Sequence, residues 1–264
     1  MAKIGLIGMG NMGYAILKGL LCRVPKKDLL FTCKRKVHAE EVKKETGVSN
    51  APDNFSCARA ADIVILAVKP QIYKTVLKEI APAVTEKKIL ISLAPGISID
   101  SLKKELGEKI RIVRAMPNIP AEVREGMTGV SCREKEFTAA EKKKIEEIFT
   151  SFGRMVWVDE KLMDTVTVMS GSSPAFVYMF IDAMADAGVR YGLKKSDALI
   201  MASQAVLGSA KMVLETGEHP AVLKDRVCSP GGTTIAGVAA LEEEGFRRAV
   251  LNGCDAVYHK CKAI

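Results

Sequence analysis

Three glycines at fixed spacing, Gly8, Gly10 and Gly13, follow the apolar run Ile4-Gly5-Leu6-Ile7 and open a stretch of helical periodicity over 11–21. A strand that enters a helix through such a turn has few folds open to it. The first glycine permits a tight turn, the second lets backbone approach a pyrophosphate, and the third lets helix pack on strand. The phosphates would face the helix start, at Gly10, Asn11 and Met12. The alternation then continues. Short β-branched runs at 29–32, 63–68, 89–93, 112–116 and 155–158 read as strands, and helical patterns occupy 39–45, 72–81, 98–106 and 139–152. This order predicts a parallel sheet with helices on both faces.

Beyond residue 160 the strand signals fade, and Ala, Met, Val and Leu recur at helical spacing through 174–191, 195–215 and 232–262. The expected architecture is α/β, with a Rossmann-type dinucleotide-binding domain over 1–159 and an all-helical domain over 160–264. Small residues such as Ala183, Ala187, Ala202 and Gly208 allow close helix packing. A helical domain of roughly 100 residues is too thin to cover its own apolar surface, so burial against another subunit is expected.

Composition narrows the class. Apolar residues make up 48% and charged residues 27%, as in folded soluble chains. The net charge of +8 is spread as lysine pairs among glutamates, with aromatics at 5%. That pattern argues against a nucleic-acid partner and for solvated faces that attract a polyphosphate cofactor. Seven cysteines without a C-x-x-C pair and three isolated histidines give neither a zinc site nor a disulfide framework. A reduced, cytoplasmic setting is expected, with no metal. No signal-peptide pattern opens the chain, and the uncharged stretch 165–181 is broken by Gly171 and Pro174, so no membrane partner is expected.

Cofactor choice is read at the end of the second strand. There Phe31-Thr32-Cys33-Lys34-Arg35-Lys36 offers three cations and no acid, so Lys34 and Arg35 favour a 2′-phosphate and NADPH over NADH, with NADH as the alternative donor. The competing reading is a solvated basic turn. Three further loops fall on the same sheet edge: Ala67-Val68-Lys69-Pro70-Gln71, Leu93-Ala94-Pro95-Gly96 and Met116-Pro117-Asn118-Ile119-Pro120-Ala121. Ala67, Val68, Pro70, Ala94 and Asn118 offer backbone or amide groups to a nicotinamide or ribose. Lys69 is a phosphate partner, a substrate-facing cation or a surface lysine. Near the far end, Ser229-Pro230-Gly231-Gly232-Thr233-Thr234 leads into a helical pattern and makes a compact site for a small carboxylate. Pattern alone equally allows a plain helix start, with Ser229 as cap and Pro230 in the first turn.

These motifs, with Ser170-Gly171-Ser172-Ser173-Pro174-Ala175-Phe176, occur in the order and spacing of the pyrroline-5-carboxylate reductases, and the chain resembles that family nearly end to end. The resemblance implies NAD(P)H-dependent reduction of the cyclic imine L-1-pyrroline-5-carboxylate to L-proline, the last step of proline biosynthesis. It also implies an intertwined homodimer, often gathered into a ring such as a decamer of five dimers. By the same resemblance, Ser229, Gly231, Gly232 and Thr233 cradle the substrate carboxylate, Thr234 reaches the ring nitrogen as the catalytic hydroxyl, Asn54 lies near the adenosine ribose and Lys34 near the 2′-phosphate. Two positions depart from the family pattern. Ser173 stands for a glycine, where its Cβ would narrow a turn, and Ile119 stands for a threonine, removing a hydroxyl near the cofactor edge. The β-hydroxyacid dehydrogenases share the domain order but use a lysine on the interdomain helix, and 164–186 contains none. A dinucleotide-sensing protein without turnover is the remaining alternative.

Overall fold

The computed structural model describes residues 2–263; Met1 and Ile264, the outermost residues of the two expected domains, lie outside the described residues. The chain forms two compact units. The first runs through Ser172 and takes in the chain from Tyr258 on, and the second is Ser173–Val257. In chain order the first unit contains β1 (Ile4–Ile7), α1 (Asn11–Leu20), β2 (Leu29–Thr32), α2 (Lys36–Thr46), β3 (Ser49–Asn50), α3 (Asn54–Ala60), β4 (Ile63–Leu66), α4 (Pro70–Ile80), β5 (Ile89–Ser92), α5 (Ile99–Leu106), β6 (Arg111–Met116), β7 (Gly126–Cys132), α6 (Ala139–Phe149), β8 (Gly153–Trp157) and the short α7 (Met163–Val166).

The sheet order is β3-β2-β1-β4-β5-β6-β7-β8. All pairings are parallel except β6 with β7. β1, β2, β4 and β5 are buried along their whole length, as parallel strands covered on both faces must be. Because side chains alternate across a strand, neighbouring residues serve opposite cores. Leu6, Phe31 and Ile65 pack with Ile16, Leu17 and Leu20 of α1 and Phe149 of α6. Ile7, Leu30 and Val64 pack with Tyr73 and Leu77 of α4 and Leu102 of α5. Each fully buried aliphatic or aromatic side chain contributes roughly 1.5–3 kcal/mol, so the two cores fix the sheet edge on which the loops sit.

Local sequence sets the helix starts. Asp53, Ser98 and Thr138 accept N-terminal amides of α3, α5 and α6, and Thr138 with Glu141 forms a reciprocal capping box. α6 ends at Phe149 rather than at 152; Phe152 leaves the helix to stack edge-on against Phe149, their ring centroids 5.9 Å apart. β7 and the two-residue β3 were not legible as strands. β7 reads Gly-Met-Thr-Gly-Val-Ser-Cys, whose glycines and hydroxyls hide the apolar signal. The segment after 160 belongs by its contacts to the first unit. An added Cβ at Gly129 of β7 would fall 2.5 Å from a methyl of Val166 in α7.

The second unit is helical: α8 (Ser173–Arg190), α9 (Lys195–Thr216), α10 (Pro220–Val227), α11 (Thr233–Glu243) and α12 (Phe246–Lys262), whose last residues belong to the first unit. The expected single helix over 232–262 is two, divided by Gly245 at φ 74°. α10, not among the expected helices, is capped by His219: its Nδ1 accepts from the Ala221 amide at 3.2 Å, and Pro220 opens the first turn. Thr167–Ser172 forms a wide π turn that runs directly into α8, so Ser173 is helical and narrows no turn. α8 and α9 meet where Gly188 faces Ala198, and Lys195 joins Asp182 and Asp186 at 2.8 and 2.5 Å. α9 is by length and composition apolar enough to cross a membrane. Yet only alanines are buried within these helices, while Met179, Tyr191, Ile200 and Leu251 are each more than 60% exposed. So much exposed apolar surface marks an interaction face.

Gly129→Ala should overfill the β7–α7 contact and lower stability by roughly 1–3 kcal/mol. In urea unfolding, Val166→Ala added to it should recover part of that loss; no recovery would deny the close packing.

Candidate active site

The β1–β4 boundary is where strand order reverses, the place where open α/β sheets bind ligands. Gly8 there has φ 98°, and its amide donates to Thr32 at 3.2 Å. A Cβ on Gly8 would lie 2.6 Å from Val68 Cγ1 and 2.7 Å from the Ala67 carbonyl oxygen, and a Cβ on Gly13 would lie 2.1 Å from the Gly8 carbonyl oxygen. The turn after β1 and the end of β4 thus touch backbone to backbone. A Cβ on Gly10, in contrast, would meet nothing within 4 Å. That open space lies over the start of α1, whose N-cap is Gly10, with no side-chain cap and no acid in the first turn. The first amides of a helix have no intrahelical acceptor and carry its positive dipole end. Asn11 begins the helix, while Met12 leans on the core. The cradle fits a dinucleotide pyrophosphate.

The basic turn follows β2, whose Thr32 is in register with Ile7 of β1. Lys34 is exposed, and the exposed Arg35 is the N-cap of α2. Asn54 begins α3. Its Oδ1 accepts from Thr32 Oγ1 at 2.7 Å and its Nδ2 donates to Glu79 at 2.6 Å, so its amide ties β2 to α4. One residue with no sequence signal, His38, completes this corner. His38, inside α2, places Nε2 2.8 Å from the Met9 carbonyl oxygen and Nδ1 3.3 Å from Glu41. A histidine in a polar helix carries no pattern that announces such a bond.

The three loops expected on this edge follow the ends of β4, β5 and β6, strands paired in parallel register. Ala67 and Val68 have left β4, Lys69 is the exposed N-cap of α4, and Pro70 is its first residue. Behind them the Tyr73 hydroxyl reaches the Leu66 carbonyl at 3.2 Å and Ser92 Oγ at 2.9 Å. Burial pushes the Tyr73 phenol up to about 12, so this tie stays un-ionised across the neutral range. Ala94 is buried beside it. Asn118, 8% exposed, donates from Nδ2 to the Ser170 carbonyl at 2.9 Å and accepts the Met127 amide at 2.8 Å. Both ends of its amide are engaged by main chain. Ile119 is 58% exposed, so the replaced hydroxyl would have stood at the surface. A cleft of about 270 Å³ lined by Ile99, Cys132, Arg133, Lys142 and Trp157 contains none of these residues.

In the second unit Ser229-Pro230-Gly231-Gly232 forms a turn closed by the Gly232 amide on the Ser229 carbonyl at 3.0 Å. Proline followed by Gly231 at φ 67° is the arrangement a type II turn requires. The plain-cap alternative for Ser229 does not hold: the N-cap of α11 is Gly232, without a side-chain cap or an acid in the first turn. A Cβ on Gly232 would fall 2.3 Å from Ser229 Oγ. Thr233 and Thr234 are the first two helical residues and both are exposed. The turn therefore offers amides and two hydroxyls at a dipole end, a second place for an anion.

Comparison with known proteins places both parts. Residues 160–264 match the family model described as pyrroline-5-carboxylate reductase dimerisation, and residues 3–96 match that described as NADP oxidoreductase coenzyme F420-dependent. The pyrroline-5-carboxylate reductase of Escherichia coli K12 is 46% identical over 94% of this chain and 93% of its own length. That of Methanosarcina acetivorans is 42% identical over 95% and 93%. The chain belongs to the pyrroline-5-carboxylate reductase family. Solved structures agree: the reductase from Coxiella burnetii has a TM-score of 0.93 at 34% identity, covering 99% of this chain and 98% of that one. The Plasmodium falciparum enzyme, solved with NADP bound, has a TM-score of 0.88 at 35% identity, covering 99% and 97%. As in these reductases, the chain is an oxidoreductase with an N-terminal NADP-binding domain.

Lys34→Ala and Arg35→Ala should each weaken NADPH binding roughly ten- to hundredfold, the scale of a charge-assisted contact, while leaving NADH binding nearly unchanged. Titrations with both nucleotides would show it, and equal losses for the two would remove the basic turn from 2′-phosphate recognition.

Proposed function

We propose that this reductase works with two anion cradles, the glycine turn after β1 for the cofactor pyrophosphate and the 229–234 turn for the substrate carboxylate. The reaction is NADPH-dependent reduction of L-1-pyrroline-5-carboxylate to L-proline, the final step of proline biosynthesis, with NADH as the alternative donor. The observation that carries the substrate half is the geometry of 229–234. A glycine at positive φ, a glycine N-cap and an acid-free helix start present amide hydrogens that a carboxylate accepts.

Bound NADPH supplies the hydride that reduces the imine carbon. The chain's residues supply orientation. Gly8, Gly10, Asn11, Met12 and Gly13 hold the pyrophosphate, and Lys34 and Arg35 take the 2′-phosphate. Asn54 fixes the ribose corner through Thr32 and Glu79. Ala67, Val68, Lys69, Pro70 and Ala94 border the nicotinamide, and Asn118 holds the loop after β6 through its ties to Ser170 and Met127. Ser229, Gly231, Gly232 and Thr233 receive the carboxylate, and Thr234 Oγ1 keeps a hydrogen bond at the ring nitrogen. A protonated imine nitrogen makes its carbon electrophilic, and that proton stays on the product amine, so no further acid is required.

The dimerisation match and the exposed apolar helices fit a homodimer built on residues 160–264. A decamer of five dimers and a cytoplasmic location are the finer readings. No nucleic-acid or membrane partner enters this account: the apolar face of α9 is assigned to a second copy of the chain.

Thr234→Ala should lower kcat by roughly ten- to several-hundredfold with little change in the NADPH dissociation constant, as for loss of a polar contact that strengthens in the transition state. Gly232→Ala should instead raise the substrate KM. Full turnover in the Thr234 variant, or turnover of the six-membered cyclic imine but not the five-membered one, would overturn the assignment. Light scattering should give at least twice the 28.6 kDa chain mass, and a monomer would remove the dimer.

A further inference from the structure

The glycine turn is held from outside by a side chain that belongs to no dinucleotide motif. Met9 lies between Gly8 and Gly10, its own side chain 3% exposed within the core of the first unit. Its carbonyl oxygen is 2.8 Å from Nε2 of the partly buried His38 on α2. A carbonyl only accepts, so the proton of this bond is on Nε2. Nδ1 then faces the Glu41 carboxylate of the same helix at 3.3 Å, one turn on.

We propose that His38 is a positioning residue for cofactor binding, locking the Met9–Gly10 peptide so that its amide faces the pyrophosphate. The peptide is trans, as are all described peptide bonds, so its carbonyl and amide point in opposite directions. Anchoring the oxygen on His38 turns the Gly10 N–H to the other side, away from α2. This plane turns about Met9 ψ and Gly10 φ, and Gly10, with open space where a Cβ would stand, leaves it easy to rotate, since glycine populates both signs of φ. Rotated the other way, the plane would direct a carbonyl oxygen at the phosphates, where like partial charges repel. The same bond also spans two parts of the site. α2 begins directly after Lys34 and Arg35, so His38 fixes the distance between the pyrophosphate turn and the basic turn.

The inference rests on the cofactor site described above and separates from it experimentally. Dissociation constants for NADPH and NADH are measured by calorimetric titration on wild type, His38→Ala, His38→Leu, His38→Gln and Lys34→Ala. Because the pyrophosphate is common to both nucleotides, His38→Ala and His38→Leu should weaken both by the same factor, roughly five- to tenfold for one lost hydrogen bond of this kind. His38→Gln carries an amide donor at the same reach and should restore both to within about twofold of wild type, whereas a role in bulk packing would be met as well by leucine. Lys34→Ala should affect NADPH alone. Unchanged affinities in His38→Ala and His38→Leu, a loss confined to NADPH, or no rescue by glutamine would each overturn the proposal. Failure of wild type to bind either nucleotide would instead overturn the cofactor site itself.

Discussion

The cofactor half of this protein depends on how closely three backbone segments approach one another at the β1–β4 boundary. Gly8, Gly13 and the end of β4 are within the distance at which any Cβ would collide, and Gly8 adopts a φ that side chains disfavour. The sheet supplies this contact by burying β1 and β4 on both faces, which holds Gly8 and Gly13 against the end of β4. From that contact follow the aim of α1, the open space over Gly10 and the placement of Ala67 and Val68 beside the glycine turn.

The same kind of helix start recurs in the second unit. α3, α5 and α6 begin with Asp, Ser and Thr caps that satisfy their first amides internally. α1 and α11 begin with Gly10 and Gly232, carry no side-chain cap and have no acid in the first turn. The capped helices are finished as structure. The two glycine-capped ones leave their first amides without a side-chain acceptor, as the proposed binding of a diphosphate and a carboxylate requires. Positioned amides stay neutral at every pH the enzyme meets and lose little entropy on binding, which suits a reaction whose main demand is orientation.

Much of this was legible in the sequence because the signals are local. The β-branched runs and the glycine spacing each state their conformation within a few residues, whereas the Ser229–Thr234 run leaves two helix starts open, and the structure puts the N-cap at Gly232. The structure departs where the outcome depends on distant partners. β7 lacks an apolar pattern yet is held between β6 and β8. Asn118 reads as a ligand contact from its loop and Asn54 only through the family resemblance, and tertiary folding gives their amides main-chain and side-chain partners first. His38 was invisible because its role comes from a carbonyl twenty-nine positions away in sequence, which no periodicity encodes. The segment after 160 read as helical, and so it is, but its packing on β7 comes from Gly129 making room for Val166.

The most direct test of two amide cradles serving one reaction is a crystal structure of the enzyme with NADP and proline bound together. The pyrophosphate should lie on the amides of Gly10 to Met12, the 2′-phosphate between Lys34 and Arg35, and the proline carboxylate on the amides of Gly231 to Thr233, with the ring nitrogen within hydrogen-bond reach of Thr234. A carboxylate held instead by Lys69 or another cation, away from the 229–234 turn, would contradict it.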